Sequence, residues 1–386
     1  MALDIRTITS PGALGDLRGE WIALLERTQC DLPFLTPEWS QCWWKTFQQK
    51  GRFICDSLRV KVVRDESARL VAIVPLMLTE RPCFGPLRAR TLGFLGVDQF
   101  ITELQGPIVD PARAGDVGRA LGAHLLSLKA WDWIAWQGMD RASDLAHALE
   151  GAIRVRWGTA ETGNVLELTP TWEELRGRLK RNIKESLRHC ANSLTRDGLS
   201  ARLVVAETPE DIRRELATFF RLHSLRAGQT GTVIHRDRFA SDSARDFLRT
   251  VCARLAERGV ARVFTLKVGD AAVACRVAFR MHGTLYLYYS GVDPAWRRYS
   301  VATTLVAEAI KYAIATGLGR VHLSMGADVS KARWSPETPL RYHAVSVRPR
   351  RKSRAALTLY TWARESALLE GGIGRLLPKR QFDVKE

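Results

Sequence analysis

The stretch from Tyr286 to Ser324 constrains the chain more than any other, because it scans as strand, polar loop, helix, glycine stop and strand. Such a connection belongs in an α/β domain. The loop, Val292-Asp-Pro-Ala-Trp-Arg297-Arg298-Tyr-Ser300, feeds a helix whose first residues are Val301 and Ala302. The first N–H groups of a helix have no intrahelical partner and carry the positive end of its dipole, so the amino terminus suits an anion such as a pyrophosphate. Ser300 stands where a hydroxyl N-cap is expected, and Arg297 and Arg298 add charge beside it.

A chain of 386 residues suggests two domains. In the first part, a helix is expected around Trp21, Leu24 and Leu25. A second begins at Thr36-Pro37, with Trp39, Trp43 and Phe47 on its core face. Leu58 to Val63, Leu70 to Leu78 and Arg90 to Leu95 read as strands, the second holding Pro75 and so lying at an edge or bulge. A helix over Val117 to Lys129, a strand at Trp131 to Trp136, and a further helix and strand through Val155 complete a mixed α/β unit assigned to residues 1–163.

The second unit, 164–350, opens with a strand over Asn164 to Leu168 and a capping box, Thr171-Trp-Glu-Glu174. One continuous helix is expected to follow, with Leu175, Leu179, Ile183 and Leu187 buried and Arg176, Lys180, Lys184 and Arg188 in a row alongside. That row is either a solvated face or the bed of an anion. After a strand at Arg202 to Val205, Thr208-Pro209 starts a helix with Ile212, Leu216, Phe219 and His223 inward, His223 being read as a hydrogen-bonded core residue. A helix over 238–258 and strands at Ala261 to Lys267, Ala272 to Arg280, Thr284 to Ser290 and Arg341 to Val347 follow. Residues 351–386 form a basic tail, amphipathic from Ala355 to Leu369.

The formal charge of +17 and pI near 10 attract polyanions whatever the fold. Nucleic acid, an anionic membrane face, or an anionic cofactor and substrate would each fit. No base-stacking aromatics interleave the basic clusters, which disfavours nucleic acid. The seven cysteines show no CxxC pair, so neither a disulfide framework nor a metal site is indicated. With neither an export signal nor an apolar run of membrane-spanning length, a cytoplasmic location is expected. Arg348 to Arg354, next to the amphipathic tail, suggest peripheral contact with an anionic inner membrane face.

Val292-Asp-Pro-Ala-Trp-Arg297-Arg298-Tyr-Ser300-Val-Ala302-Thr-Thr-Leu305 resembles the acyl-CoA signature of the GNAT acetyltransferases, with Arg298 and Ser300 where that signature has glycines. The order of strands and helices is also similar. The words Leu179-Lys-Arg-Asn-Ile-Lys-Glu-Ser-Leu-Arg188, Ala274-Cys-Arg-Val and Gly326-Ala-Asp-Val-Ser-Lys331-Ala-Arg-Trp334 resemble the CelD/BcsL-type branch, associated with cellulose and exopolysaccharide formation. The layout is similar to the Fem-type transferases.

The resemblance implies two tandem GNAT-like units with mixed sheets flanked by helices. It also implies acetyl transfer from acetyl-CoA to an amine or hydroxyl of a polysaccharide precursor, sugar or lipid-linked acceptor. Tyr288, Val292, Arg297, Arg298, Ser300, Val301 and Ala302 are then expected to hold the cofactor, with the pantetheine on the strand from Thr284 and that from Val321 as the other lip. His322 stands where the family has an aspartate and is the candidate base. Lys331 is the candidate oxyanion donor. Tyr288 and Tyr289 are expected on opposite sheet faces, with Tyr289 the candidate proton donor. Trp334, Asp98 and Gln99 are expected to meet the acceptor in a cleft facing the amino-terminal unit. An aminoacyl-tRNA-dependent transfer, or a non-catalytic scaffold of an exopolysaccharide assembly, fits the same layout.

Overall fold

The computed structural model describes residues 3–82, 88–96, 101–228 and 235–365, with side chains through 362. The chain runs β1 (Asp4–Ile8), α1 (Pro11–Asp16), α2 (Arg18–Arg27), α3 (Pro37–Phe47), β2 (Cys55–Leu58), β3 (Val60–Arg64), β4 (Leu70–Val74), β5 (Leu76–Pro82) and β6 (Arg88–Phe94). There follow β7 (Ile108–Val109), α4 (Ala114–Ser127), β8 (Trp133–Met139), α5 (Asp144–Ala152) and β9 (Arg156–Thr162). The second half contributes β10 (Val165–Glu167), α6 (Trp172–Arg178), α7 (Arg181–Arg196), β11 (Ala201–Ala206), α8 (Pro209–Ala227) and α9 (Asp242–Glu257). Then come β12 (Ala261–Val268), β13 (Ala271–Met281), β14 (Thr284–Val292), α10 (Val301–Ala315), β15 (Arg320–His322) and α11 (Val329–Ala332). The described chain closes with β16 (Leu340–Val347) and α12 (Arg351–Glu365).

Two compact units result: Met1–Cys30 with Phe34–Glu161 and Leu340–Glu386, and Asp31–Pro33 with Thr162–Pro339. The closing strand therefore belongs to the first unit and not, as the family order suggested, to the second. Its physical reason is pairing: β16 lies antiparallel to β8, with Val345 opposite Ala135 and Val347 opposite Trp133, and buries Ala344 and Val345 there. Asp31 joins the second unit because its carboxylate accepts from Thr284 Oγ1 at 2.9 Å and pairs with Arg320 at 3.4 Å.

The first unit has two sheets, β1-β3-β4-β7 and β2-β5-β6-β8-β16-β9. The apolar run from Leu70 divides at Pro75, which has no N–H for a ladder, so that β4 serves one sheet and β5 the other. Thr36 caps α3 by accepting from Trp39 N at 3.3 Å, and Trp39 and Trp43 are buried. One face of α12 packs on its own unit, with Ala356 buried and Tyr360 5.3 Å from Trp133, while Leu359 and Trp362 are exposed. Arg348 is not a surface cation: it is buried over the Trp131 ring.

The second unit is one six-stranded sheet, β10-β15-β14-β13-β12-β11, antiparallel except for β14 with β15. Thr171 caps α6 as expected, accepting from Glu174 N at 3.2 Å. The single helix expected from there is broken, because Leu179 and Lys180 are extended, at ψ 149° each, and α7 restarts at Arg181. Leu175, Leu179 and Ile183 still reach a common core with Leu285, Leu287, Val301, Leu305 and Ile310. Lys180 and Lys184 donate to the carbonyls of Ala332 (3.3 Å) and Gly177 (2.8 Å), and Arg181 pairs with Glu185 at 2.6 Å. Two of the four cations in the row, Lys180 and Lys184, are thus occupied locally, while Arg176 and Arg188 line a cavity beside α10.

Candidate active site

The sheet opens beside β14. Its parallel ladder with β15 runs only from Thr284–Arg320 to Tyr286–His322, where β15 ends, while β14 continues to Val292. Within that continuation β14 carries a bulge. Leu287 lies opposite Ala278 and Ser290 opposite Arg276, so Tyr288 and Tyr289 together oppose Val277. The expected alternation of the two tyrosines is therefore lost. Their rings are 4.6 Å apart and both touch Phe239, at 6.4 and 5.5 Å. Tyr288 is buried, whereas Tyr289 is half-buried.

From Val292, itself half-buried, the chain enters a 3₁₀ turn over Pro294–Tyr299, capped by Asp293, whose carboxylate accepts from Ala295 N at 3.0 Å. Ser300 then takes the left-handed conformation, φ 57° and ψ 29°, and its side chain caps nothing. This corrects the hydroxyl cap expected there: a capping residue needs an extended backbone, and Ser300 is left-handed. It also gives the family's preference for glycine at this position a physical reason, since a β-carbon disfavours that region. Val301 is core and Ala302 exposed. Arg297 is exposed and makes no ion pair among the described residues. Arg298 is tethered instead, 2.5 Å from Tyr299 Oη and 3.6 Å from the Asp197 carboxylate, which Tyr299 also binds at 2.6 Å. His189 Nε2 donates to the Arg298 carbonyl at 2.8 Å and braces the same loop.

His322 ends β15, buried, with its ring stacked on Tyr286 at 4.4 Å. Its Nδ1 accepts from Ser324 N at 3.1 Å. That bond engages one ring nitrogen of the candidate base. Lys331 is also committed: Nζ donates to the carbonyl of Met325, pairs with Asp328 at 3.0 Å, and so closes its own loop. Burial pushes the Asp328 carboxyl up, but the Ser330 hydroxyl and Lys331 outweigh that and hold it below the usual range. Trp334 is core, not lining, at 3% exposure. Asp98 and Gln99 lie outside the described residues.

Sequence reading missed the polar cluster beyond the splay. Arg226, one turn after His223 on the inward stripe of α8, donates from Nη1 to Ser290 Oγ at 2.7 Å and from Nη2 to His235 Nε2 at 3.2 Å. Arg276 donates to the same Ser290 hydroxyl at 3.2 Å. An arginine on the buried stripe of an amphipathic helix was the available signal. His223 behaves as the core histidine expected: Nδ1 donates to the Ser290 carbonyl at 2.9 Å and Nε2 accepts from Arg238 N at 3.3 Å. Burial lowers its pKa, so it stays neutral. Gly291 allows this approach, because a Cβ there would lie 2.5 Å from His223 N.

β14 thus leaves its parallel neighbour and leads, through a bulge, to a helix amino terminus without a side-chain cap. Residues 181–334 match the family model for an acetyltransferase (GNAT) domain. The matched part of the second unit has a GNAT acetyltransferase-type fold, and each of the two units is built of sheets flanked by helices. Among solved structures the chain is similar to FemX, with a TM-score of 0.59 at 10% identity, over 88% of this chain and 96% of that one. It is similar too to a conserved protein of unknown function from Bacteroides thetaiotaomicron VPI-5482, with a TM-score of 0.52 at 11% identity, over 89% and 100% of the two chains. At such identities the likeness is one of fold. No curated protein sequence matches the chain.

Proposed function

We propose that this protein transfers an acetyl group from acetyl-CoA to an amine or hydroxyl of a sugar or polysaccharide precursor. The observation that carries the donor half is the splay of β14 from β15 together with the uncapped amino terminus of α10. The residues present fit a phosphate there: Ser300 leaves the first-turn N–H groups without a side-chain acceptor, and Arg297 is an exposed cation one turn earlier. On the far side of the same helix, Arg176 and Arg188 line a cavity of about 510 Å³ with Thr304 and Lys311. CoA supplies the acyl group in activated form, as a thioester. The chain contributes positioning: the continuation of β14 beyond its last pair with β15, at Tyr286 and His322, orients an extended ligand.

Of the two bulge tyrosines, Tyr289 is the one with access to solvent, and its hydroxyl is the proton donor we assign to the departing sulfur. His322 and Lys331 hold the walls rather than the proton. The CelD/BcsL-like words of the sequence support a role in exopolysaccharide or cellulose formation, and the exposed Leu359 and Trp362 beside Arg351, Lys352 and Arg354 support reversible membrane contact. Acetyl-CoA titrated calorimetrically into the protein tests the donor. Saturable binding, weakened by Arg297→Ala and with turnover lowered by Tyr289→Phe at unchanged affinity, is the expected result. Absence of binding, with retention of the protein on charged tRNA at physiological salt, would instead favour aminoacyl transfer.

A further inference from the structure

We propose that the arginine pair converging on Ser290 is a recognition site for a compact oxyanion, a carboxylate or phosphate monoester carried by the acyl acceptor. The assignment of that anion to the acceptor rests on the acyl-transfer reading; the existence of the site does not. Arg226 Nη1 and Arg276 Nη2 both donate to one hydroxyl oxygen, at 2.7 and 3.2 Å. A hydroxyl has two acceptor lone pairs and no charge, so it satisfies two N–H groups without offsetting the Arg226 cation. The second side-chain partner of Arg226 carries no negative charge either: His235 Nε2 accepts from Nη2 at 3.2 Å. Among the described residues no carboxylate lies within ion-pair distance of Arg226. Asp328 acts on it from further off while bound to Lys331 at 3.0 Å.

A guanidinium in that position is costly unless an anion completes it, since desolvation disfavours a charged group that no opposite charge answers. Burial indeed holds the Arg226 pKa below its ordinary value. The planar fork of arginine matches the two oxygens of a carboxylate or the face of a phosphate. Placement argues for the acceptor rather than the donor. Ser290 lies on β14 beyond the last pair with β15 and directly follows Tyr289, the proposed proton donor, whereas the CoA phosphates belong at Ser300, past the 3₁₀ turn. An acceptor anchored here by its anion presents its nucleophile at the thioester end of the slot.

The test is calorimetry on the full chain at constant ionic strength in chloride, with inorganic phosphate and, separately, succinate as probes, on wild type, Arg226→Gln and Arg276→Gln. Saturable binding of either probe, weakened about ten- to hundredfold in both variants, is expected, because each removes a charge-assisted donor. Phosphate alone identifies a phosphorylated acceptor, succinate alone a carboxylated one, and either supports the site. Affinity for acetyl-CoA should be unchanged in both variants. If Arg226→Gln does not give a native circular dichroism spectrum, wild type against Arg276→Gln decides. Equal affinity of wild type and variants for both probes, or loss of acetyl-CoA affinity together with that for the probe, overturns the assignment. Failure of wild type to bind acetyl-CoA, with anion binding intact, would refute the acyl-transfer reading and leave the oxyanion site standing.

Discussion

Replacing Lys61 by methionine should stabilise the protein at neutral pH, although it deletes a hydrogen bond. Lys61 sits on β3 opposite Thr7 of β1, is 1% exposed, and donates from Nζ to Thr7 Oγ1 at 2.7 Å. Thr7 offers a dipole and no charge. Burial, helped by Arg59, pushes the ammonium from an ordinary value of 10.5 down to about 8. At about 1.4 kcal/mol per pH unit, that fall corresponds to roughly 3 kcal/mol of charge burial carried by the folded protein below pH 8. The lost hydrogen bond returns about 1 kcal/mol of it, which leaves a net gain of about 2 kcal/mol for the variant at pH 7.

The sign follows from proton counting. Between the folded and unfolded values the unfolded chain binds more protons, so the Lys61 contribution to stability rises with pH. It is fully present above 10.5 and is lost as pH falls through 8. The advantage of Lys61→Met should therefore be largest at pH 7 and shrink steadily toward pH 10. Urea unfolding followed by tryptophan fluorescence at several pH values, on both proteins, measures it; groups common to both cancel in the difference. A wild-type to variant difference that does not change between pH 7 and 10 would refute the reasoning, because it would mean that the amine is solvated.

Four further outcomes are expected. Arg297→Ala should weaken acetyl-CoA about tenfold in a salt-sensitive way, and Arg298→Ala less, because its guanidinium is already held by Asp197; the reverse order would place the phosphates elsewhere. Ser300→Gly should relieve the left-handed φ of 57° and open the helix terminus, raising acetyl-CoA affinity a few-fold with under about 1 kcal/mol change in stability, read by calorimetry and urea unfolding. Gly291→Ala should cost about 1–3 kcal/mol or more, since its Cβ would meet backbone atoms of His223 and Leu222 at 2.5 and 2.7 Å; unchanged urea stability would mean a looser approach of α8 to β14. Trp362→Glu should reduce co-sedimentation with anionic vesicles but not alter the little expected with neutral ones; equal sedimentation of wild type with both would remove the membrane role.

What the sequence determined by itself was local. The capping residues Thr36, Thr171 and Thr208 all accept the backbone N–H three residues on, because a cap needs only its own first turn. The strand, loop and helix from Thr284 to Ala315 were legible for the same reason, as were the strands that precede them and the inward stripe that kept His223 in the core. Tertiary structure decided what depends on partners distant in sequence. Whether Tyr288 and Tyr289 alternate depends on Val277 across the ladder, and the bulge set both on one side. Whether the imidazole of His322 is a base depends on the N–H that Ser324 aims at its Nδ1. Which sheet receives Leu340–Val347 is settled by the competition for the edge of β8, more than two hundred positions upstream, and no local pattern encodes that. The meeting of Arg226, Arg276 and Ser290 is of the same kind: three residues from a helix and two strands, whose chemistry exists only where the fold brings their atoms to one oxygen.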